Sequence, residues 1–453
     1  MTDSKKPAKN DSTSRRDFIK KSSMLVAGGA VVGGSLSIAR AAHAFGSDTI
    51  KIGLVGCGGR GTGAATQALN TMSKTDIDPN GEVKLVAMAD AFEDRLQAAY
   101  RGIKGSHGNF VDVPKDRQFV GFDAYKGVIE SDIDLVILAT SPGFRPLHFE
   151  YAVEKNKHVF MEKPVATDAA GVRRVLAANE VAKKKNLAVA VGLQRHHEDR
   201  YVETMKRIWD GAIGDLVMTR VYWNGGGVWV RGRQDGQTEL EYQMRNWYYF
   251  NWLCGDHINE QHIHNLDVSN WLLQAYPVEC NGMGGREVRK GIDHGQIYDH
   301  HFCEYTYANG VKMISQCRHI QNCWNNVSEH AHGTKGYADL SGKIWNSKNE
   351  VIWSHDGKGD GHQVEHYDLF AALRRGEIPN EAEYGAHSTM TSIFGRMCSY
   401  TGKEITWDQA FNSELVLADV DSLKTMDDKA PLYPDENGRY PIPVPGVSWD
   451  DVL

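Results

Sequence analysis

Residues 49 to 61 read T-I-K-I-G-L-V-G-C-G-G-R-G, and the reading of the fold turns on this stretch. Thr49 to Val55 is a short β-branched run; Gly56, Gly58 and Gly61 then fit the spacing G-x-G-x-x-G ahead of an Ala-rich helical stretch that reaches Asn70. Strand, glycine turn and helix in that order aim backbone N–H groups at a pyrophosphate, and the glycines permit the tight turn, the close approach of the anion and the packing of helix on strand. Gly59 and Arg60 lie in the same turn and join the expected cofactor set. The next apolar run, Val83 to Ala89, ends in Asp90, whose carboxylate is placed to bond the hydroxyls of an adenosine ribose. Asp90 follows the glycines at more than the usual spacing of about 20 residues, because T-M-S-K-T-D-I-D-P-N-G is inserted before the strand. An acid there repels a 2′-phosphate, so NAD is expected over NADP, with Arg95 near enough to moderate the preference.

The alternation continues outward: a strand at 134–139, a helix from about Pro146 to Lys155, a strand at His158 to Met161, a helix from Asp168 to Lys185, and a strand at Leu187 to Val191. Continuous apolar runs separated by helices indicate a parallel sheet covered on both faces, the doubly wound arrangement. The strand at His158 runs into M-E-K-P, which puts Glu162 and Lys163 at the C-terminal edge of the sheet, where ligands of such folds bind. An ammonium there polarises a carbonyl or stabilises an alkoxide, and Glu162 is expected to hold it and to border the cofactor.

These pieces together, G-C-G-G-R-G, A-T-S-P at 139–142, K-H-V-F-M-E-K-P and the helix that follows, resemble the glucose-fructose oxidoreductase, inositol dehydrogenase and rhizopine-catabolism (Gfo/Idh/MocA) family. The resemblance covers essentially the whole chain after residue 44. It implies an oxidoreductase with an N-terminal Rossmann domain, and a C-terminal α/β domain built on a large, open, mostly antiparallel sheet that covers the nicotinamide and forms a homo-oligomer interface, dimer or tetramer. Thr140 and Pro142 join the cofactor set with it. The boundaries expected are 1–44 for a leader, 45–192 for the Rossmann domain, 193–412 for the substrate domain and 413–453 for a Pro-rich tail that wraps the surface or a neighbouring subunit.

Members of the family carry a catalytic His on a helix of the second domain, with an Asp four residues before it. The matching stretch here, W-L-C-G-D-H-I-N-E-Q-H-I-H-N-L-D-V-S-N-W (252–271), puts His264 at the histidine and Glu260 at the acid, a departure from Asp. Glu260, His264, Asp267 and Trp271 follow i, i+4, i+7, i+11 and so share one helical face. His264 is read as the general acid/base and Glu260 as the carboxylate that orients it. His257, Glu260 and His264, with His262 or with Asp299, His300 and His301, have the makings of a metal cage, but H-E-x-x-H is absent and the resemblance implies no metal, so none is expected.

Of the 11 Trp, six fall between residues 209 and 271, beside N-W-Y-Y-F-N-W at 246–252. Flat rings stack on sugar faces while Asn, Asp and Arg bond hydroxyls, which points to a carbohydrate or polyol ligand. Arg195 at the junction after the last parallel strand, Arg245, Trp247, Asp256 and His257 make up the expected substrate set. The glycines at 225–227, with Arg231 and Arg233, read as a mobile loop at the mouth.

Charge divides the chain. Its formal net charge is −7, yet residues 1–44 hold eight basic and three acidic side chains, leaving −12 on the rest. An acidic body argues against a nucleic-acid partner. The basic segment reads S-R-R-D-F-I-K, then an uncharged stretch, then A-H-A, the parts of a twin-arginine export signal; a periplasmic protein is expected, anchored if the signal is not cleaved, and no later segment is apolar for long enough to span a membrane. The seven cysteines form no CxxC pair and read mostly as buried thiols, with Cys317 and Cys323 able to pair. Outside the cytoplasm there is no soluble NAD pool, so the cofactor is expected to stay bound and be restored in each cycle. A paired sugar oxidoreductase satisfies this, as does transient oxidation ending in glycoside cleavage; a non-catalytic secreted sugar-binding protein is the reading that Lys163 and His264 disfavour.

Overall fold

The computed structural model describes residues 49–73, 81–357 and 359–446. The leader reading falls on residues 1–44, outside them. Six strands form a wholly parallel sheet in the order β3-β2-β1-β4-β5-β6: β1 (Thr49–Val55), β2 (Glu82–Asp90), β3 (Gln118–Val120), β4 (Leu135–Leu138), β5 (His158–Met161) and β6 (Val189–Val191). Helices α1 (Gly59–Asn70), α2 (Glu93–His107), α3 (Ala124–Glu130), α4 (Arg145–Glu154) and α5 (Ala169–Lys184) cover it. The strand order reverses between β1 and β4, which opens a crevice at their carboxyl ends. All four residues of β4 are buried, as a strand covered on both faces requires. Asp168 caps α5 by accepting the Gly171 N–H (2.7 Å), so the helix starts one residue later than its acid suggested. The short strand β3 and helices α2 and α3 went unread in the sequence.

After α6 (Asp199–Trp209), the chain builds a nine-stranded sheet in the order β14-β13-β12-β11-β7-β10-β9-β8-β15. Its strands are β7 (Leu216–Gly225), β8 (Pro277–Gly285), β9 (His300–Tyr307), β10 (Lys312–His319), β11 (Asn326–Gly333), β12 (Gly336–Asp339), β13 (Lys343–Asn346), β14 (Val351–Ser354) and β15 (Ile405–Thr406). Only β7 and β10 pair in parallel. Burial alternates strictly along β9 and β10, so one face is packed and the other open. Between β7 and β8 come α7 (Glu239–Arg245), α8 (Asn251–Cys254), α9 (His257–Glu260) and α10 (Ile263–Leu273); α11 (Gly361–Arg374), α12 (Ala382–Thr401) and α13 (Trp407–Phe411) close the chain's helices.

One apolar core runs through both sheets, from Leu138, Met161 and Val191 to Ile258, Tyr305 and Phe394. Helix α12 joins them: Val165 N–H donates to Thr389 Oγ1 (3.1 Å), and Val191 N–H donates to Glu381 Oε2 (2.7 Å) at the helix start. The tail packs on the second half of the chain, with Tyr440 edge-on to Phe250 (4.9 Å) and the Tyr298 hydroxyl donating to Pro443 O (2.9 Å). All seven cysteines are free; Cys323 is exposed and the other six are buried. Among the described residues no helix is long and apolar enough to cross a membrane.

Candidate active site

The glycine turn is built as a cradle. Gly56 has φ +98°, and a Cβ there would lie 2.5 Å from the Ala139 carbonyl carbon; a Cβ on Gly61 would lie 1.9 Å from Gly56 O. These two glycines let α1 close onto β1 and β4. A Cβ on Gly58 or Gly59 would meet nothing within 4 Å, so the space in front of the helix start is open. A pyrophosphate fits there against the N-terminal amides of α1. The Asp90 carboxylate accepts Cys57 N–H (2.6 Å) and Phe92 N–H (2.9 Å), which fixes it at the end of β2. Burial raises its pKa, and the two amide donors partly offset that rise.

Gly56, Gly58, Gly59, Arg60, Asp90 and Thr140 line one cavity of about 390 Å³. Other expected cofactor residues do other work. Gly61 serves the packing, and Pro142 is buried at the start of a turn, while its neighbour Ser141 lines the cavity. Glu162 is buried behind the turn and holds Arg60 through its Nε (2.7 Å) instead of bordering the cavity.

Lys163 and Glu260 meet as the sequence implied, but in a different relation. Lys163 Nζ donates to the Glu260 carbonyl oxygen (2.5 Å) and lies 3.3 Å from its Oε1. The continuous helical face expected across 260–271 is broken: α9 ends at Glu260 and α10 begins at Ile263. The break is what frees the Glu260 carbonyl, because the His264 N–H bonds Gln261 O instead of reaching back four residues. Glu260 therefore positions Lys163, and does not orient His264. The His264 ring stacks on Trp223 (5.9 Å between centroids), with its buried Nδ1 unpartnered. Burial first, and the nearby charges of Lys163, Arg195 and His362 next, push its pKa well below the usual histidine range. It is a neutral imidazole beside an ammonium, an arrangement suited to taking a proton from a hydroxyl whose oxygen the ammonium stabilises. Asp267, aligned in sequence with His264, instead bonds His196 Nε2 (2.8 Å) and Ser388 (2.7 Å), and Trp271 stacks on His196 (4.2 Å).

The expected substrate residues are dispersed. Arg195 is buried in an ion pair with Glu329, which also accepts the Tyr201 hydroxyl (2.9 Å), so it ties the segment after β6 to β11. Arg245 bonds Asp94 (3.2 Å) and Glu241 (2.8 Å) and covers Phe92 (4.0 Å); with Trp247 it lines the cavity that holds Asp90. Asp256 and His257 are fully buried. The Asp256 carboxylate accepts His257 N–H (2.5 Å), Tyr298 N–H (2.9 Å) and the Tyr400 hydroxyl (2.5 Å), and its other neighbours are His257 Nδ1 (2.8 Å) and His301 Nε2 (3.2 Å). Burial pushes its pKa up, but the two imidazoles outweigh that and hold it well below the carboxylate range. Asp256, His257 and His301 bring ligating atoms within 4.8 Å of one another, the one such group among the described residues, yet the carboxylate is already saturated by protein donors.

Trp229 and Arg231, read as a sugar-stacking ring and part of a loop at the mouth, line the cavity; sequence reading missed Met244 there and His362 near His264. Nothing local signals them, since each arrives from a distant segment.

Residues 50–193 match the model of the Gfo/Idh/MocA oxidoreductase family with its NAD-binding Rossmann fold. An inositol 2-dehydrogenase of Rhizobium meliloti is 27% identical over 289 residues, 64% of this chain and 74% of that protein. The inositol 2-dehydrogenase of Salmonella typhimurium is 30% identical over 230 residues, 50% of this chain and 55% of its own length. Among solved structures, a levoglucosan dehydrogenase in complex with NADH and levoglucosan has TM-score 0.62 at 16% identity, covering 80% of this chain and 100% of that one. A scyllo-inositol dehydrogenase of Lactobacillus casei has TM-score 0.58 at 21% identity, covering 80% and 98%. The two solved structures share the fold, and residues 50–193 carry the NAD-binding Rossmann fold of that oxidoreductase family.

Proposed function

We propose that this oxidoreductase oxidises or reduces a secondary alcohol carbon of a sugar or polyol, with His264 moving the hydroxyl proton and Lys163 stabilising the oxygen. The observation that carries the reading is the pairing of a neutral, buried His264 with an ammonium fixed by Glu260. Relatives named for inositol and levoglucosan support a polyhydroxylated substrate. NAD is the cofactor proposed: the open face of Gly58 and Gly59 receives the pyrophosphate and Asp90 the adenosine ribose. Bound there, a nicotinamide supplies a hydride acceptor or donor. His264 takes the hydroxyl proton on its unprotonated ring nitrogen, Lys163 holds the alkoxide charge as it develops, and Glu260 keeps Nζ from swinging away.

Export by the twin-arginine route into the periplasm and assembly as a homo-oligomer belong to the same proposal; S-R-R-D-F-I-K supports the first and the open face of the nine-stranded sheet the second. Cell fractionation and light scattering test them.

The decisive experiment denatures the purified protein, identifies any released nucleotide by mass, and assays inositols and anhydrosugars with the wild type, Lys163→Ala and His264→Ala. NAD is the nucleotide expected, and each variant loses about 10²- to 10⁴-fold in turnover. A fully active double variant would reject the assignment of the site.

A further inference from the structure

The cavity that holds Asp90 has two walls from distant parts of the sequence. Ala91, Phe92, Gly121 and Phe122 line one side, and Trp229, Arg231, Met244, Arg245 and Trp247 line the other. Lys163 and His264 do not line it, so it lies at the ribose end of the nucleotide groove. The geometry points to an adenosine subsite in which the second half of the chain, through residues 229–247, supplies the stacking surface and shuts the dinucleotide in. This rests on the nicotinamide-dinucleotide reading above and extends it to how firmly the cofactor is held.

Three observations converge. Trp229 is 40% exposed, a large flat ring facing open space, with the Arg231 guanidinium 4.7 Å from its centroid and Trp247 edge-on at 5.9 Å. Among the described residues the Arg231 side chain makes no ion pair and lies over the Trp229 ring, so the pair offers one stacked surface at the cavity. Indole and guanidinium planes are the surfaces on which nucleobases stack, independent of base-edge bonding.

The segment is also anchored at both ends. Arg231 N–H donates to Asn246 Oδ1 (2.9 Å), Asn246 Nδ2 donates to Asp293 O (2.8 Å), and the Thr238 hydroxyl donates to Met426 O (2.5 Å), which roots it in its own half. Arg245 reaches across to Asp94 in α2 through both terminal nitrogens (3.3 and 3.2 Å). Asp94 and Glu241 neutralise Arg245. A dinucleotide bound between the walls leaves only when the Asp94–Arg245 contact opens.

The test loads the intact chain with NADH, desalts it, follows release of the nucleotide by its fluorescence, and titrates AMP as competitor. Trp229→Ala, a change at an exposed ring, is expected to keep the wild-type thermal melt, release NADH about tenfold faster or more, and weaken AMP by a similar factor. Asp94→Asn, which opens the latch and leaves the stacking surface, is expected to speed release with a smaller change in AMP affinity. Wild-type release rates in both variants would overturn the subsite while the oxidoreductase reading stands. A wild type that takes up neither NADH nor AMP would reject the dinucleotide reading, and this subsite with it.

Discussion

At the scale of single residues, the site depends on which groups carry charge. His264 is kept neutral chiefly by burial and secondly by Lys163. Replacing Lys163 with Met removes the second cause alone, so the imidazole resonances of His264 followed by NMR should titrate at higher pH than in the wild type while staying below about 6.5. An unchanged midpoint would mean the two side chains are not electrostatically coupled. Glu365 of α11 is a second buried group, with His362 Nδ1 3.6 Å from its Oε1 and no hydrogen bond to either carboxylate oxygen. Burial raises its pKa to about 7; His362 and Arg60 lower it and Glu162 raises it. A carboxyl whose folded pKa lies above its unfolded value costs stability as pH rises from the unfolded pKa through the folded one. Glu365→Gln should therefore raise the melting temperature at pH 8, with the gain shrinking to nothing near pH 4.5. A variant less stable than wild type at pH 8 would show that the ion pair with His362 outweighs the cost of burying the carboxylate.

At the scale of elements, Arg195 separates two roles that one sequence position suggested. Buried beside Glu329, it contributes to stability through that carboxylate, which would otherwise be buried unpaired. Arg195→Met should cost about 3–5 kcal/mol in denaturant unfolding and leave KM for the sugar unchanged where the variant is folded. A raised KM with unchanged stability would restore the substrate role. Strands and helices with a strong signal were legible: continuous apolar runs gave β1, β2, β4 and β5, the glycine spacing gave the β1–α1 turn, and E-K-P gave Lys163 its place. Less legible was the region 252–273, because periodicity assumes an unbroken helix and the turn at Gln261–His262 is made by long-range bonds, such as His262 Nε2 to the Ser315 hydroxyl (2.8 Å) in β10. The same turn reassigned Glu260 from His264 to Lys163. Arg245 and Trp247 were read as sugar contacts and line the cavity that holds Asp90, and no local pattern tells a sugar-stacking ring from one beside a nucleotide groove.

At the scale of the whole molecule, the folded chain stores an unusual number of neutral histidines. Burial is the first cause in each case: it lowers His148 to about 3 and His257 to about 4, and it holds His262, His264, His319 and His366 well below the ordinary range. Unfolding returns each to about 6.5, so below that pH the unfolded state binds more protons and stability falls as pH falls. Each such group contributes a slope of up to about 1.4 kcal/mol per pH unit once the pH is below its unfolded value. His197 acts in the opposite sense. Burial lowers its pKa, but Asp368 (2.6 Å) and Glu381 (3.3 Å) outweigh burial and raise it to about 10, so its contribution is complete below about 6.5 and is lost as pH rises through about 10. With His158, His294, His330 and His332 also lowered, ten groups against one make the acid side the steeper. Thermal melts between pH 4.5 and 9 should show a plateau near neutrality, a gentle decline above pH 8, and a steep fall below about pH 6. A melting temperature that stayed level from pH 7 to pH 5 would mean that these imidazoles are solvated or paired in solution, and the neutral His264 on which the proton transfer depends would lose its basis.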